Sequence, residues 1–183
     1  MLLKRLAGVA LVGLMLVVAG CATNEVAQAE GEAPAVTQDQ KEQVKDVADE
    51  VKEVAFPKLP QGAGKIDEKA TKTFTTTESG LKYRILREGA GAKPTARQKV
   101  EVNYHGWLDN EKVFDSSYKR GESISFPLNG VIAGWTEGMQ LVGKGGMIEL
   151  EIPGKLGYGP GGYPPDIPGN ATLHFLVELI DIK

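Results

Sequence analysis

The chain changes its hydrophobic rhythm twice. Leu6 to Ala19 is an unbroken uncharged, mostly apolar run of 14 residues. Residues 22–72 are then mostly polar. From Phe74 onward the pattern turns to period two, the spacing that places alternate side chains on one face of a strand. Lys99–Leu108 alternates cleanly, with Val100, Val102, Tyr104 and Gly106 on one side. Gly146–Ile152 alternates with Ile148, Leu150 and Ile152 inward and Glu149 and Glu151 outward. Thr172–Ile182 puts Leu173, Phe175, Val177 and Leu179 on one face. Shorter strands are predicted at Thr73–Thr77, Leu81–Leu86 and Ser123–Pro127, with a short extended run from Val113. Glu78-Ser79-Gly80 and Asp109-Asn110-Glu111 supply turns, and Gly143-Lys144-Gly145-Gly146 is a hairpin-type loop. Val131–Leu141 is the one helix-like segment of this half, about three turns long. The expected fold class is α+β, a curved antiparallel sheet wrapped around one short helix. Residues 153–171 form a long loop with five prolines. Loops of that length are usually functional or disordered, and the prolines predict a stiff, structured one.

The beginning of the chain reads differently. Met1-Leu2-Leu3-Lys4-Arg5 is a short basic stretch before the apolar run, which is too short for a comfortable membrane span and suits a signal-peptide core. Val18-Ala19-Gly20-Cys21 resembles the bacterial lipobox, in which the cysteine is lipidated and becomes the mature N-terminus. The alternative is that Cys21 is an ordinary buried cysteine. As the sole cysteine it excludes an internal disulfide. Acyl chains contributing ~0.8 kcal/mol per buried CH₂ would hold the protein on a membrane without spanning it. Ala22 after the cysteine favours the outer membrane, by analogy with enteric bacteria. Residues 22–38 read as a disordered leader. Thr37 and Gln40 then have capping-box spacing, and Val44, Val47, Val51 and Val54 recur at helical spacing. An amphipathic helix is expected near 38–55, either a short dimerising coiled coil or a weak spacer helix, so the chain is expected to be a monomer or a weak dimer. Phe56-Pro57 through Gly62-Ala63-Gly64 ends it. The expected organisation is a lipoprotein signal peptide over 1–20, a tether over 21–72 and a globular domain over 73–183.

Formal net charge is −3. Residues 22–72 hold 7 Lys against 11 Asp and Glu, net −4, and residues 73–183 hold 12 Lys and Arg against 13 acids, net −1. The acidity lies in the tether, and nothing indicates nucleic-acid binding. The globular half carries no nucleophile–base pair, metal cluster or phosphate loop, so no metal or cofactor is expected. His105 and His174 fall in predicted strands opposite inward-facing positions and read as sheet-surface residues. What remains is a set of aromatics around one acid: Tyr104, Phe114, Asp115, Trp135 and Tyr158. Each aromatic taken alone also reads as core, and Asp115 before Ser116-Ser117 also reads as a turn or helix-cap residue. Together they suggest an apolar pocket with a few polar groups.

These residues match a family. Val-Asn-Tyr-His-Gly-Trp-Leu (102–108), Val-Phe-Asp-Ser-Ser (113–117) and Val-Ile-Ala-Gly-Trp-Thr-Glu-Gly (131–138) come first. Tyr-Gly-Pro-Gly-Gly-Tyr-Pro-Pro-Asp-Ile-Pro-Gly-Asn-Ala-Thr-Leu-His-Phe (158–175) follows in the same order. The stretch from about 74 to 183 resembles an FKBP-type peptidyl-prolyl cis-trans isomerase. The resemblance implies that Trp135 is the floor under a proline ring, with Tyr104, Phe114, Val131, Ile132 and Phe175 as walls. It implies that Tyr158 and the Ile132 backbone N–H donate to substrate carbonyls. Asp115 would sit at the pocket edge, bonded to Tyr104, and Tyr163 and Ile167 would form a flap. Three positions depart from the family pattern. Ile124 stands where an aromatic wall residue is usual, with Phe126 two residues on. Tyr163 stands where His is frequent, and Asp166 occupies a hydrophobic flap position. The implied substrates are proline-containing proteins and peptides, with macrolides such as rapamycin as possible inhibitors. The tethered form resembles bacterial cell-envelope members, lipid-anchored and facing the periplasm or the cell surface. A binding module of the same fold with little catalysis, and a purely structural lipoprotein, are the competing readings.

Overall fold

The structure, a computed structural model, describes residues 52–183. The expected signal peptide and leader, Cys21, and the expected helix up to residue 51 lie outside the described residues. The elements are β1 (Thr75–Thr76), β2 (Lys82–Arg87), β3 (Lys99–Leu108), β4 (Val113–Ser116), α1 (Ser117–Arg120), β5 (Ile124–Pro127), α2 (Ala133–Gly138), β6 (Met147–Ile152) and β7 (Leu173–Ile182). The strands pair antiparallel in the order β1-β2-β6-β7-β3-β4, and β5 adds to β3 beyond β4. This is the expected fold class, a curved antiparallel sheet around one short helix. Register shifts after Ile85, Glu101 and Gly106 interrupt the ladders. Such bulges bend strands and increase twist, which curls the sheet around α2.

The alternation along β3, β6 and β7 places its inward residues as expected. Val100, Val102, Ile148, Leu150, Ile152, Leu173, Val177 and Leu179 are buried in one cluster with Trp135 and Met139. The helix differs from expectation. It begins at Ala133, because Ile132 is extended at φ −58° and ψ 149°, and it tightens into a 3₁₀ turn over Met139–Leu141. Two glycines set its depth. A Cβ on Gly134 would stand 2.5 Å from Ile152 Cγ2, and one on Gly138 would stand 2.7 Å from Leu150 Cδ2. The helix thus gives up propensity for close approach to β6. A second helix, α1, was not expected. It is one turn long, capped by the Ser116 hydroxyl and ended by Gly121 at φ 78°.

The opposite face of the sheet corrects two expectations. Residues 52–72 were assigned to the tether, and 38–55 to a helix that would end there. Residues 52–55 are not helical. Phe56, Leu59, Ala63 and Ile66 instead lie against Leu86, Met147 and Leu176, all fully buried. Glu149, expected to face solvent, is covered by the same strap and is 5% exposed. Its partner is Arg84, whose Nε donates to it at 2.7 Å. The Arg84 Nη groups donate to the carbonyls of Val54, Lys72 and Ala55, and the guanidinium lies over the Phe56 and Phe74 rings. Burial pushes the Glu149 carboxyl up, and Arg84 pulls it partway back. A second tie is Glu178, which accepts from Arg87 at 2.6 Å, from the Gly64 N–H at 3.0 Å and from the Tyr118 hydroxyl. Burial alone would raise its carboxyl, but these donors outweigh that and hold it below the usual range.

A chain beginning at residue 73 would expose the Leu86–Met147–Leu176 surface and strip the carbonyls from Arg84. At about 1.5–3 kcal/mol per large apolar side chain returned to water, urea unfolding should show it more than about 3 kcal/mol less stable than residues 52–183. Equal midpoints would mean that the strap adds nothing.

Candidate active site

On the concave face, between α2, β5 and the loop 153–171, lies a cavity of about 530 Å³. It is lined by Tyr104, Phe114, Asp115, Phe126, Gly130, Val131, Ile132, Trp135, Tyr158, Tyr163, Asp166, Ile167 and Phe175. A larger cavity of about 890 Å³ lies where residues 56–61 of the strap meet His105, Trp107 and Val113. The smaller one gathers the aromatic set and the acid.

Trp135 forms its floor, 4% exposed on α2. Three rings stand edge-on to the indole: Tyr104 at 5.4 Å, Phe126 at 5.8 Å and Phe175 at 5.2 Å between centroids. Phe114 meets Phe175 in the same geometry at 5.4 Å. Edge-to-face contacts suit ring quadrupoles and hold each ring against rotation. The Trp135 indole N–H is buried without a partner among the described residues. Gly106, facing inward on β3, makes the box possible. A Cβ there would stand 2.7 Å from Phe114 and 2.8 Å from Phe175. Its signal was visible, a glycine at an inward position of a clean alternation, which marks close approach of another group.

Of the twelve pocket residues singled out from the sequence, the structure brings eleven together. Ile124 lies apart: it pairs with Val102 and packs on the core without lining the cavity. It shares a face with Phe126 but sits two residues away, about 7 Å along the strand. Phe126 is therefore the residue that reaches Tyr104 and Trp135. Ile167, expected in a flap, is 4% exposed and roots the loop in the core. Tyr158 and Tyr163 form the rim, 40% and 63% exposed, with ring centroids 5.3 Å apart. Burial, then the neighbouring Tyr163 and Asp115, push the Tyr158 hydroxyl pKa up, so it stays a donor.

Asp115 is held at the pocket edge. It accepts from the Tyr104 hydroxyl, from Arg120 and from the Ser116 N–H. Arg120 also donates to the Tyr104 hydroxyl at 3.0 Å and lies over its ring. The cap role falls to Ser116, not Asp115. Partial burial would raise the Asp115 carboxyl, but the bonds from Tyr104 and Arg120 and the arginine charge outweigh it and hold it below the usual range. Burial, then the bond to Asp115, push the Tyr104 hydroxyl up to about 12. At neutral pH the site therefore holds a fixed carboxylate and a protonated phenol. Arg120 was missed because its position depends on α1. Both histidines lie on the opposite face: His105 meets Ser116 Oγ at 3.1 Å and His174 meets Asp109 at 2.7 Å. Among the described residues no group of three His, Cys, Asp or Glu could hold a metal ion.

The fold and this aromatic box define a class: the chain belongs to the FKBP-type peptidyl-prolyl cis-trans isomerase family. The family model of that description matches residues 91–180. The chain is 51% identical over 116 residues to FkpA, an FKBP-type peptidyl-prolyl cis-trans isomerase of Escherichia coli K12, covering 63% of this chain and 42% of that protein. It thus spans about two fifths of that relative's length. It is 41% identical over 159 residues to the FKBP-type 22 kDa peptidyl-prolyl cis-trans isomerase of the same organism, covering 84% of this chain and 77% of that one. The crystal structure of Escherichia coli FkpA superposes with a TM-score of 0.59 at 50% identity, over 60% of this chain and 51% of that chain.

Arg120→Ala should let the Asp115 carboxyl titrate closer to the ordinary aspartate range, because an adjacent cation and the hydrogen bond it donates to the carboxylate are lost. Carbon-detected NMR titration should show the Asp115 midpoint moving up. An unmoved midpoint would show that Arg120 does not set it.

Proposed function

We propose that this chain is an active peptidyl-prolyl cis-trans isomerase acting on proline-containing proteins and peptides. One observation carries the reading: a buried indole floor ringed edge-on by three aromatics, with a clamped carboxylate at its lip. Rotation about an Xaa-Pro bond costs about 18–20 kcal/mol, because amide resonance is lost at the twisted geometry. The two planar isomers differ by only about 0.5–1 kcal/mol, so both are populated and exchange slowly. No bond need break. A catalyst has only to bind the twisted amide better than either planar form.

The parts divide the work. Trp135, Phe126 and Phe175 hold the proline ring in a dry site, which disfavours the more polar planar amide. Tyr158 and the Ile132 amide are placed to bind substrate carbonyls and hold the chain in a turn. Asp115, locked by Tyr104 and Arg120, faces the rotating amide with a charge that does not have to reorient. Fixed polar groups of this kind act without reorganising at the moment of reaction. Macrolides such as rapamycin would compete for the same box.

The setting follows from the first residues. The basic start, the apolar run and Val18-Ala19-Gly20-Cys21 support cleavage and lipidation at Cys21, placing the enzyme at the cell envelope, facing the periplasm or the cell surface. There it would assist folding of extracytoplasmic proteins.

Line-exchange NMR on a short Xaa-Pro peptide tests the activity. The chain in catalytic amounts should accelerate cis–trans exchange. Trp135→Leu and Asp115→Ala should each lower the acceleration about five- to tenfold, on the order of 1 kcal/mol of transition-state stabilisation. Leucine is preferred to alanine at 135, since emptying a buried tryptophan site costs about 3–5 kcal/mol. A folded chain without acceleration would make it a binding module.

Cys21→Ser should move the protein from the membrane to the soluble fraction of bacteria expressing the full chain. Unchanged fractionation would remove the lipid anchor.

A further inference from the structure

Loop 153–171 is closed upon itself. Tyr163 and Ile167 exchange backbone hydrogen bonds at 2.8 and 3.0 Å, and the Asn170 N–H donates to the Gly159 carbonyl at 2.7 Å. Ile167 roots it in the core, while its tip carries exposed Tyr163 over the cavity mouth. Among the described residues, the one side-chain hydrogen bond that leaves this loop runs from Lys112 Nζ to Asp166 Oδ1, 3.1 Å long. Its ends are significant. Lys112 immediately precedes β4, the strand that carries Phe114 and Asp115. Asp166 lines the mouth and immediately precedes Ile167. The ion pair therefore bridges the two sides of the groove mouth, from the wall that holds the clamped carboxylate to the loop that holds the tyrosine rim.

We propose that Lys112 and Asp166 form an electrostatic latch that positions the Tyr163 rim over the bound chain and so sets affinity for the residues flanking proline. This rests on the isomerase reading of the pocket. Both partners are about half exposed. An exposed pair is worth little by itself, so the latch opens readily and works as a bias on the rim rather than a permanent closure. Its action is on binding. The indole floor lies on α2, which neither end of the latch adjoins. Lys112 is in these terms a positioning residue.

Charge reversal tests it. The Trp135 indole N–H signal is followed by NMR while a short Ala-Leu-Pro-Phe peptide is titrated into the unmodified chain, Lys112→Glu, Asp166→Lys and the double reversal. Each single variant should raise the peptide Kd about two- to fivefold, the range an exposed ion pair allows. The double variant, with the pair restored in reverse, should return to within about twofold of the starting Kd, a coupling that a double-mutant cycle reads directly. Singles without effect, or a double no better than the singles, would overturn the latch. The same samples report cis–trans exchange of the peptide. Binding without acceleration would defeat the isomerase reading and leave the latch standing; absence of binding by the unmodified chain would overturn both.

Discussion

The site depends on the pairing of β3 with β7. These two ten-residue strands run side by side from Val100–Ile182 to Leu108–Leu173. Their register sets Gly106 opposite Phe175 and Tyr104 opposite Val177. Because Gly106 has no side chain, Phe114 and Phe175 close over it. Because Tyr104 lies two residues away on the same face, its ring meets Phe175 at a tilt of 57° and Trp135 edge-on. A one-residue slip of β3 would turn Tyr104 and Gly106 away from Phe175. The pocket is a property of register before it is a property of any side chain.

Two arginine–carboxylate pairs in this fold show how surroundings decide what a charge does. Arg84 and Glu149 are buried beneath the strap, where desolvation dominates, and Arg84 makes three further hydrogen bonds to carbonyls while two rings flank its guanidinium. That pair organises chain entry, and removing one partner would strand the other. Arg120 and Asp115 are about 40% exposed and share the Tyr104 hydroxyl between them. There the arginine stabilises the carboxylate form, and the acid keeps its charge and its direction at the edge of an apolar box. The first arrangement is architecture. The second leaves one ionised carboxylate on the lining of the apolar cavity.

Much of this was legible in the sequence, for physical reasons. Period-two alternation exposed β3, β6 and β7, since each has one face in the core. The pocket set was legible because its members sit at strand and helix positions whose order resembles a known family. What the sequence concealed came from contacts with no local signal. Glu149 reads as a solvent-facing residue in any alternation, and it is buried through Arg84, which distant backbone carbonyls at 54, 55 and 72 hold in place. Arg120 becomes part of the site through a single helical turn too short to show periodicity. Ile124 and Phe126 share one face, and only the curvature of the sheet decides which of them reaches Trp135.

The strap also defines a load path. The chain enters the described domain at the Val54 and Ala55 carbonyls, gripped by Arg84 on β2, and is fastened again where Gly64 and Lys65 meet Glu178 and Arg87. β2 lies towards one edge of the sheet, whereas the pocket walls hang from β3, β4 and β7. Tension arriving from upstream residues is met first by Arg84 on β2 and then by Glu178 on β7, with β6 between the two strands. A pull on the upstream chain would load β2 and β7 at two separate points before it reached the strand that carries Tyr104.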